Sequence, residues 1–186
     1  MALRNPVRDY ASHVVEVLKI EAAALWLSAE RLDRNQLEHA IQLLVTCSGK
    51  VVVAGIGKSG LVARKVASTL TSTGTPAVYL HPSDALHGDL GIVAPTDVVI
   101  VLSNSGETDE LIAMLPHLKY RKVPIIAIVG RLKSTLARNA DAVLDASVEQ
   151  EACPLNLAPT TSTLVALAMG DALAATLMEV KGITPQ

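Results

Sequence analysis

Aromatic side chains are almost missing from this sequence, which has no Phe, one Trp and three Tyr among its 186 residues. Half of the residues are nevertheless hydrophobic. The core must therefore be built from Ala, Val, Leu and Ile, a composition that suits helices packed on a buried parallel sheet. The length fits one domain without disulfides or a structural metal. We expect a single domain over residues 1–186, with two helices in residues 1–48 and an α/β core in residues 49–186.

The sequence also lacks an excess of charge, a cysteine motif and a long apolar run. Its net charge of −2 gives no reason to expect nucleic acid as a partner, because nucleic-acid-binding proteins usually concentrate basic charge on one face. Cys47 and Cys153 form no CxxC pattern, which indicates neither a disulfide framework nor a zinc knuckle and favours a reducing, cytoplasmic location. The longest charge-free stretch, residues 152–170, contains two prolines and four Thr or Ser residues. We therefore expect no membrane span, and the first ten residues predict no signal peptide.

Short β-branched runs alternate with helical stripes from residue 51 onward. The runs predict five strands, at residues 51–54, 77–80, 98–102, 125–129 and 142–144. The stripes predict helices at residues 10–27, 33–47, 61–71, 108–119, 134–138 and 160–180. Because strands that alternate with helices imply right-handed crossovers, the predicted fold is a three-layer α-β-α sandwich around a five-stranded parallel sheet. Ligands should bind at the loops that follow the strands.

The loop after the first strand is rich in glycine. Its sequence, Gly55-Ile56-Gly57-Lys58-Ser59-Gly60, matches the G-x-G-x-x-G pattern of dinucleotide-binding folds. The second strand, however, is followed by His81-Pro82 rather than by the acidic residue that binds ribose hydroxyls, and a P-loop would need a glycine where Val52 stands. What remains is a helix N-terminus that can approach an anion or a sugar hydroxyl, with Lys58 as a positive charge. The alternative is a turn that only connects strand and helix.

The loop after the third strand carries three hydroxyls and a glycine just before a helix. In Ser103-Asn104-Ser105-Gly106-Glu107-Thr108, the hydroxyls and free backbone donors form a candidate phosphate cradle that needs neither a metal nor a nucleotide. The alternative is helix capping, for which Ser, Asn and Thr are all suited. Since one cap requires only one such residue, the clustering of Ser103, Ser105 and Thr108 favours the phosphate cradle.

Six motifs, in order along the chain, resemble those of one family. The loop at Ser103 resembles the signature of the sugar isomerase (SIS) domain family, and the whole set is similar to the arabinose 5-phosphate isomerases within it. The motifs are GIGKSG at 55–60, STGTP at 72–76, HGDLG at 87–91, SNSGET at 103–108, EACP at 151–154 and LAPTTST at 157–163. The resemblance implies flavodoxin-like strand order. It also implies an aldose–ketose isomerase that interconverts D-ribulose 5-phosphate and D-arabinose 5-phosphate through an enediol, in the pathway to Kdo and lipopolysaccharide.

The resemblance also implies an active site. It places Lys58, His87, Glu110 and Glu151 there as catalytic residues, without settling which of them is the carbon base. Because isomerisation moves a proton between adjacent carbons, we expect Glu110 or Glu151 to shuttle that proton. We expect His87 to assist ring opening or oxygen proton transfer, from the same or a neighbouring subunit. The substrate and its phosphate are expected at Gly57, Ser59, Ser103, Asn104, Ser105, Thr108, Thr161 and Ser162.

The catalytic candidates have structural alternatives. Glu110 could instead complement the helix dipole, and His87 could be a surface or turn histidine. A metal site made of His81, His87 and Asp89 matches no familiar ligand spacing. We therefore expect no metal and no cofactor.

The terminal helices carry more apolar surface than one sheet can cover, and the resemblance to SIS isomerases implies a homotetramer. Many arabinose 5-phosphate isomerases continue into a further His-Pro-Gly-Gly segment and two CBS modules, whereas this sequence ends at Gln186. We expect either a single-domain member or a truncated one. Two alternatives to the predicted activity stay open: a non-catalytic sugar-phosphate-binding SIS module, as in some transcription regulators, and an isomerase for another ketose phosphate.

Overall fold

The computed structural model describes residues 9–184. Helices α1 (Tyr10–Arg31) and α2 (Arg34–Val45) precede the sheet. The strands are β1 (Val51–Ala54), β2 (Ala77–Leu80), β3 (Val98–Ser103), β4 (Ile125–Val129) and β5 (Ala142–Asp145). The remaining helices are α3 (Gly57–Ser72), α4 (Pro82–Leu86), a 3-10 helix (Asp89–Ile92), α5 (Asp109–Tyr120), α6 (Thr135–Asn139) and α7 (Thr161–Val180).

The five strands are parallel and lie in the order β2-β1-β3-β4-β5. From β1 the chain passes to β2 on one side and then crosses to β3 on the other. The strand order therefore reverses between β1 and β3, which is where open parallel sheets bind their ligands. The predicted five-stranded sheet with flavodoxin-like order is confirmed.

Helices cover both faces of the sheet. Val51 and Val53 of β1 pack in one core cluster with residues of α2, α3 and α7. Val52 and Ala54 point the other way, into a second cluster with residues of α4, α5 and α6. Because alternate residues face different helix layers, β1 is apolar at every position, as in other doubly covered parallel sheets. The predicted three-layer sandwich with two N-terminal helices is confirmed.

Two segments differ from the sequence-based expectation. Helix α3 begins at Gly57, four residues before the predicted start, because its first turn carries glycine and polar residues and shows no apolar stripe. Residues 82–92 contain α4 and a 3-10 helix, where no helix was predicted. Pro82 occupies the first turn of α4, a position for which its fixed φ is suited.

Helix α7 is long and apolar enough to cross a membrane by length and composition. Its side chains at Val165, Leu173 and Leu177 are nevertheless buried in the core cluster on the α3 side of the sheet. Asp171 forms an ion pair with Lys65 of α3. The helix therefore packs as a core helix of the α/β sandwich.

Candidate active site

A cavity of about 180 Å³ opens at the carboxyl ends of β1 and β3. It lies at the reversal of strand order, and polar side chains from three segments line it: Lys58 and Ser59, Ser103 and Asn104, Ser162 and Thr163. Cavities that bury drug-sized ligands usually measure about 300–1,000 Å³. The smaller volume suits a small metabolite better than a dinucleotide, in agreement with the missing acidic residue after β2.

The glycine-rich segment supplies the first wall of the cavity. It forms the first turn of α3, with Ile56 as an N-cap residue that makes no side-chain capping hydrogen bond. The first backbone N–H groups of a helix have no partner inside the helix and carry partial positive charge. With the exposed Lys58 and the half-buried Ser59 beside them, these groups form a site suited to an anion or a sugar oxygen.

The serine-rich loop supplies the second wall. Ser103 Oγ accepts a hydrogen bond from the Gly106 N–H at 3.0 Å and lies 3.1 Å from Thr108 Oγ1. Ser105 Oγ accepts one from the Glu107 N–H at 3.2 Å. These hydroxyls therefore shape the loop. Thr108 is the N-cap residue of α5 but makes no side-chain capping hydrogen bond, so the structure does not show the capping alternative.

Gly106 allows the serine-rich loop to fold so tightly. Its φ is +64°, a left-handed conformation that side chains rarely adopt, and a Cβ there would lie 2.1 Å from Ser134 Oγ. Asn104 continues the wall toward β4, where its main-chain carbonyl accepts the Gly130 N–H at 3.1 Å. The loop is thus tied on both sides to the segments that follow β4.

Glu151 lies at the N-terminus of α7. Its Oε2 accepts the N–H groups of Thr160 at 2.8 Å and Ser162 at 3.1 Å, and the Ser162 hydroxyl donates to Oε1. Burial alone would raise the pKa of Glu151, but the hydrogen bonds from Ser162 and Thr160 outweigh burial and hold the pKa below its usual value. Glu151 is therefore an ionised helix cap that contacts the cavity through Ser162.

The other predicted site residues do not line the cavity. Thr161 is fully buried, and its hydroxyl accepts the Ala152 N–H at 2.9 Å, which holds the segment after Glu151. Glu110 is half-buried on the first turn of α5, and His87 is exposed at the end of α4. Neither lines the cavity. Gly57, Ser105 and Thr161 adjoin lining residues in the chain without being among them. Thr108 does not line the cavity either, but its hydroxyl lies 3.1 Å from that of the lining residue Ser103.

Nine of the fourteen lining residues were not predicted as site residues, among them Thr163 and Gly130. Thr163 continues the run of hydroxyls from Thr160, and that run was the signal that could have identified it. Gly130 directly follows β4, and a Cβ there would lie 2.0 Å from Asn104 Oδ1. Its position at the end of a strand was the only signal in the sequence. In residues 9–184, no three His, Cys, Asp or Glu side chains come together as a possible metal site, and this includes the combination of His81, His87 and Asp89.

Comparison with known proteins gives consistent matches. The sequence pattern of the SIS domain family matches residues 44–176. Arabinose 5-phosphate isomerase KdsD of Escherichia coli K12 is 49% identical over 182 residues, which cover 98% of this chain and 55% of that protein. Arabinose 5-phosphate isomerase KpsF of E. coli CFT073 is 46% identical over 172 residues, which cover 92% of this chain and 53% of that protein.

A solved structure of an E. coli CFT073 protein in complex with arabinose 5-phosphate superposes with a TM-score of 0.91 at 40% identity. The match covers 97% of this chain and 95% of that one. The chain thus spans nearly all of a solved relative but about half the length of the curated relatives that it matches.

Proposed function

The chain belongs to the SIS domain family, and we propose that it is a sugar-phosphate isomerase that interconverts D-ribulose 5-phosphate and D-arabinose 5-phosphate. The observation that carries this proposal is the cavity at the β1–β3 reversal, where Lys58 and Ser59 of the uncapped α3 N-terminus line the same space as Ser103. The Ser103 hydroxyl lies 3.1 Å from that of Thr108, at the start of α5. The names of the curated relatives and the arabinose 5-phosphate complex of the solved relative support the choice of sugar.

The phosphate is proposed to bind at the N-terminus of α5. Its first-turn N–H groups and the hydroxyls of Ser103, Ser105 and Thr108 supply hydrogen-bond donors for phosphate oxygens. Asn104, exposed on the same loop, adds an amide. Gly57 and Ser59, on the first turn of α3, are proposed to contact the sugar together with Lys58.

The chemistry requires a base that takes a proton from C1 of the ketose and returns it to C2. Removal of that proton gives an enediolate, and proton transfer between O1 and O2 completes the aldose. We assign the carbon base to Glu151, because its lowered pKa keeps it ionised and Ser162 links it to the cavity. Glu110 is half-buried outside the cavity lining and is the alternative base.

His87 is proposed to act from a neighbouring subunit on ring opening or oxygen proton transfer. It is exposed on its own subunit and does not line that subunit's cavity. A homotetramer is supported by the exposed apolar residues of α1, where Tyr10, Val14, Leu18 and Trp26 are each more than half exposed. The proposed location is the cytoplasm, in the route to Kdo and lipopolysaccharide, and the free thiols of Cys47 and Cys153 fit a reducing compartment.

The activity is tested with purified protein in a coupled assay that offers D-ribulose 5-phosphate beside other ketose phosphates. Turnover of D-ribulose 5-phosphate with the highest kcat/KM is the expected result. Faster turnover of another ketose phosphate would reassign the substrate. Measurable binding of D-arabinose 5-phosphate without any turnover would instead identify a sugar-phosphate-binding module. That alternative is favoured by the hydrogen bonds that the Glu151 carboxylate already accepts as the cap of α7.

The base is tested by solvent-deuterium exchange at the substrate carbon. Glu151→Gln should abolish exchange, and Glu110→Gln should retain it. Glu179→Gln, which changes an exposed carboxylate at the far end of α7, is the matched control. Retained exchange in Glu151→Gln together with its loss in Glu110→Gln would reverse the assignment.

A further inference from the structure

Tyr79, on the edge strand β2, reaches the glycine-rich segment that carries Lys58. Its Cα pairs with that of Val53 in β1, and its hydroxyl donates a hydrogen bond to the main-chain carbonyl of Gly55 at 2.9 Å. Gly55 directly follows β1 and precedes the first turn of α3. A side chain from the neighbouring strand therefore holds the backbone at the point where the segment leaves the sheet.

The same ring contacts the helix that follows. The guanidinium carbon of Arg64, on the second turn of α3, lies 4.1 Å from the centroid of the Tyr79 ring, a cation–π distance. Tyr79 is thus bound to residues on both sides of Lys58. Burial raises the pKa of the Tyr79 hydroxyl, and the charge of Arg64 only partly offsets this, so the hydroxyl stays protonated and able to donate at neutral pH.

The segment between these two contacts is rich in glycine, so contacts from outside it help to fix its backbone. Residues 55–60 contain three glycines, which gain more conformational freedom than other residues when they are not held. Lys58 is exposed, and in residues 9–184 its ammonium makes no hydrogen bond or ion pair. The position of the Lys58 side chain relative to the substrate therefore depends on the backbone that carries it.

We propose that Tyr79 is a positioning residue for the isomerase reaction: its hydroxyl fixes the Gly55 carbonyl and thereby sets where Lys58 stands in the cavity. This inference rests on the proposed function. Tyr79 does not line the cavity and acts only through Lys58. Nothing in the sequence pattern indicates this role, because a tyrosine in an edge strand resembles any half-buried strand residue.

The test is Tyr79→Phe, which keeps the ring over Arg64 and removes only the hydroxyl. Tyr120→Phe, at a side chain that is 90% exposed on the end of α5, is the matched control. Loss of one hydrogen bond should lower kcat/KM about tenfold in Tyr79→Phe, whereas Tyr120→Phe should match the wild type. Equal rates in the two variants would overturn the proposal.

A double-mutant cycle with Lys58→Ala separates positioning from a general structural effect. In the Lys58→Ala background, Tyr79→Phe should change kcat/KM by less than about twofold, because the residue it positions is gone. An undiminished effect would show that Tyr79 acts by another route and would also overturn the proposal. If Lys58→Ala leaves no measurable rate, dissociation constants for D-arabinose 5-phosphate complete the same cycle.

Amide hydrogen exchange tests the contact without any catalytic activity. In Tyr79→Phe, exchange of residues 55–60 should accelerate at least about fivefold, while that of residues 103–108 should match the Tyr120→Phe control. Unchanged exchange at residues 55–60 would refute the contact even in an active enzyme. Accelerated exchange in a protein whose wild type turns over no ketose phosphate would instead uphold the contact and refute the proposed function.

Discussion

Asp97 connects the amino ends of two central strands, and its substitution by Asn should destabilise the protein strongly. The side chain is 2% exposed and lies just before β3. Its Oδ1 accepts the Lys50 N–H at 2.9 Å, and its Oδ2 accepts the Ala94 N–H at 2.8 Å and the Lys50 ammonium at 2.7 Å. Lys50 directly precedes β1. The carboxylate therefore joins the starts of β1 and β3.

The structure sets the size of the effect. An Asn side chain can present its oxygen to only one of the two backbone donors, so its NH₂ group must face the other. Hydrogen bonds to charged groups contribute about 1.5–3 kcal/mol each, and breaking a buried ion pair costs about 3–5 kcal/mol. The Lys50 side chain is 26% exposed and retains the Ile92 carbonyl as a partner. The loss of the ion pair therefore costs less than it would for a fully buried lysine. We expect Asp97→Asn to lower the free energy of unfolding by about 3 kcal/mol.

The assay is urea unfolding followed by circular dichroism at pH 7. Lys50→Met, which removes the ammonium but leaves both backbone hydrogen bonds, should cost less than Asp97→Asn. Catalytic parameters at 25 °C should stay at the wild-type level, because Asp97 and the cavity lie at opposite ends of the strands. A loss below about 1 kcal/mol in Asp97→Asn would refute the reasoning, since it would mean that the orphaned backbone donor costs nothing.

The pH dependence provides a second check on Asp97. Burial alone would raise its pKa, but the hydrogen bonds from Lys50 and Ala94 outweigh burial and hold the pKa below its usual value. A carboxyl whose pKa is lower in the folded state stabilises above the unfolded pKa, about 3.9, and loses that contribution as pH falls through the folded value. The stability difference between wild type and Asp97→Asn should therefore be constant above about pH 5 and should narrow below about pH 4.

Three further predictions concern the site, the core and the assembly. Gly106→Ala places a Cβ at a φ of +64° and 2.1 Å from Ser134 Oγ, which should distort the serine-rich loop. Calorimetry should then show at least about tenfold weaker binding of D-arabinose 5-phosphate. Unchanged affinity would contradict the proposal that this loop binds the phosphate. Gly170→Leu brings a Cβ within 2.3 Å of Val66 Cγ2. It should lower the free energy of unfolding by about 2–3 kcal/mol, measured with urea. An unchanged free energy of unfolding would contradict the close packing of α3 and α7. Leu18→Glu, at a side chain that is 59% exposed, should yield smaller species in sedimentation velocity; an unchanged distribution would remove α1 from the proposed subunit contact.

The sheet was predictable because its strands are buried on both sides. Doubly covered strands such as β3 and β4 have apolar residues at nearly every position, so each stands out as a β-branched run between polar turns. Helix starts were less predictable. The first turn of α3 and all of α4 lack an apolar stripe. Their helical form depends on backbone geometry and on contacts with β2 and the 3-10 helix, which the periodicity of the sequence cannot show.

The sequence predicted which loops form the candidate site, but not the hydrogen bonds that its side chains make. Glycines and hydroxyls after strands identified the walls that contain Lys58 and Ser103, because the carboxyl ends of parallel strands meet at one edge. The sequence could not show that the carboxylate of Glu151 caps α7, since its partners Thr160 and Ser162 follow nine and eleven residues later across an irregular loop. Nor could it show that Tyr79 holds Gly55, a contact 24 residues apart that forms only when β2 pairs with β1.

Because Glu151 caps α7, the charge around the cavity is uneven, with a carboxylate at the α7 end. The N-termini of α3 and α7 line the cavity, and that of α5 follows the serine-rich loop. A carboxylate neutralises the positive end of α7, while α3 and α5 begin without side-chain caps. A phosphate dianion is attracted to an uncapped helix N-terminus and repelled by the carboxylate. The substrate phosphate should therefore bind away from the N-terminus of α7, and the sugar carbons should extend toward Ser162 and Glu151. In the proposed mechanism, the carboxylate that directs the phosphate away from α7 is also the base that takes the proton from the substrate carbon.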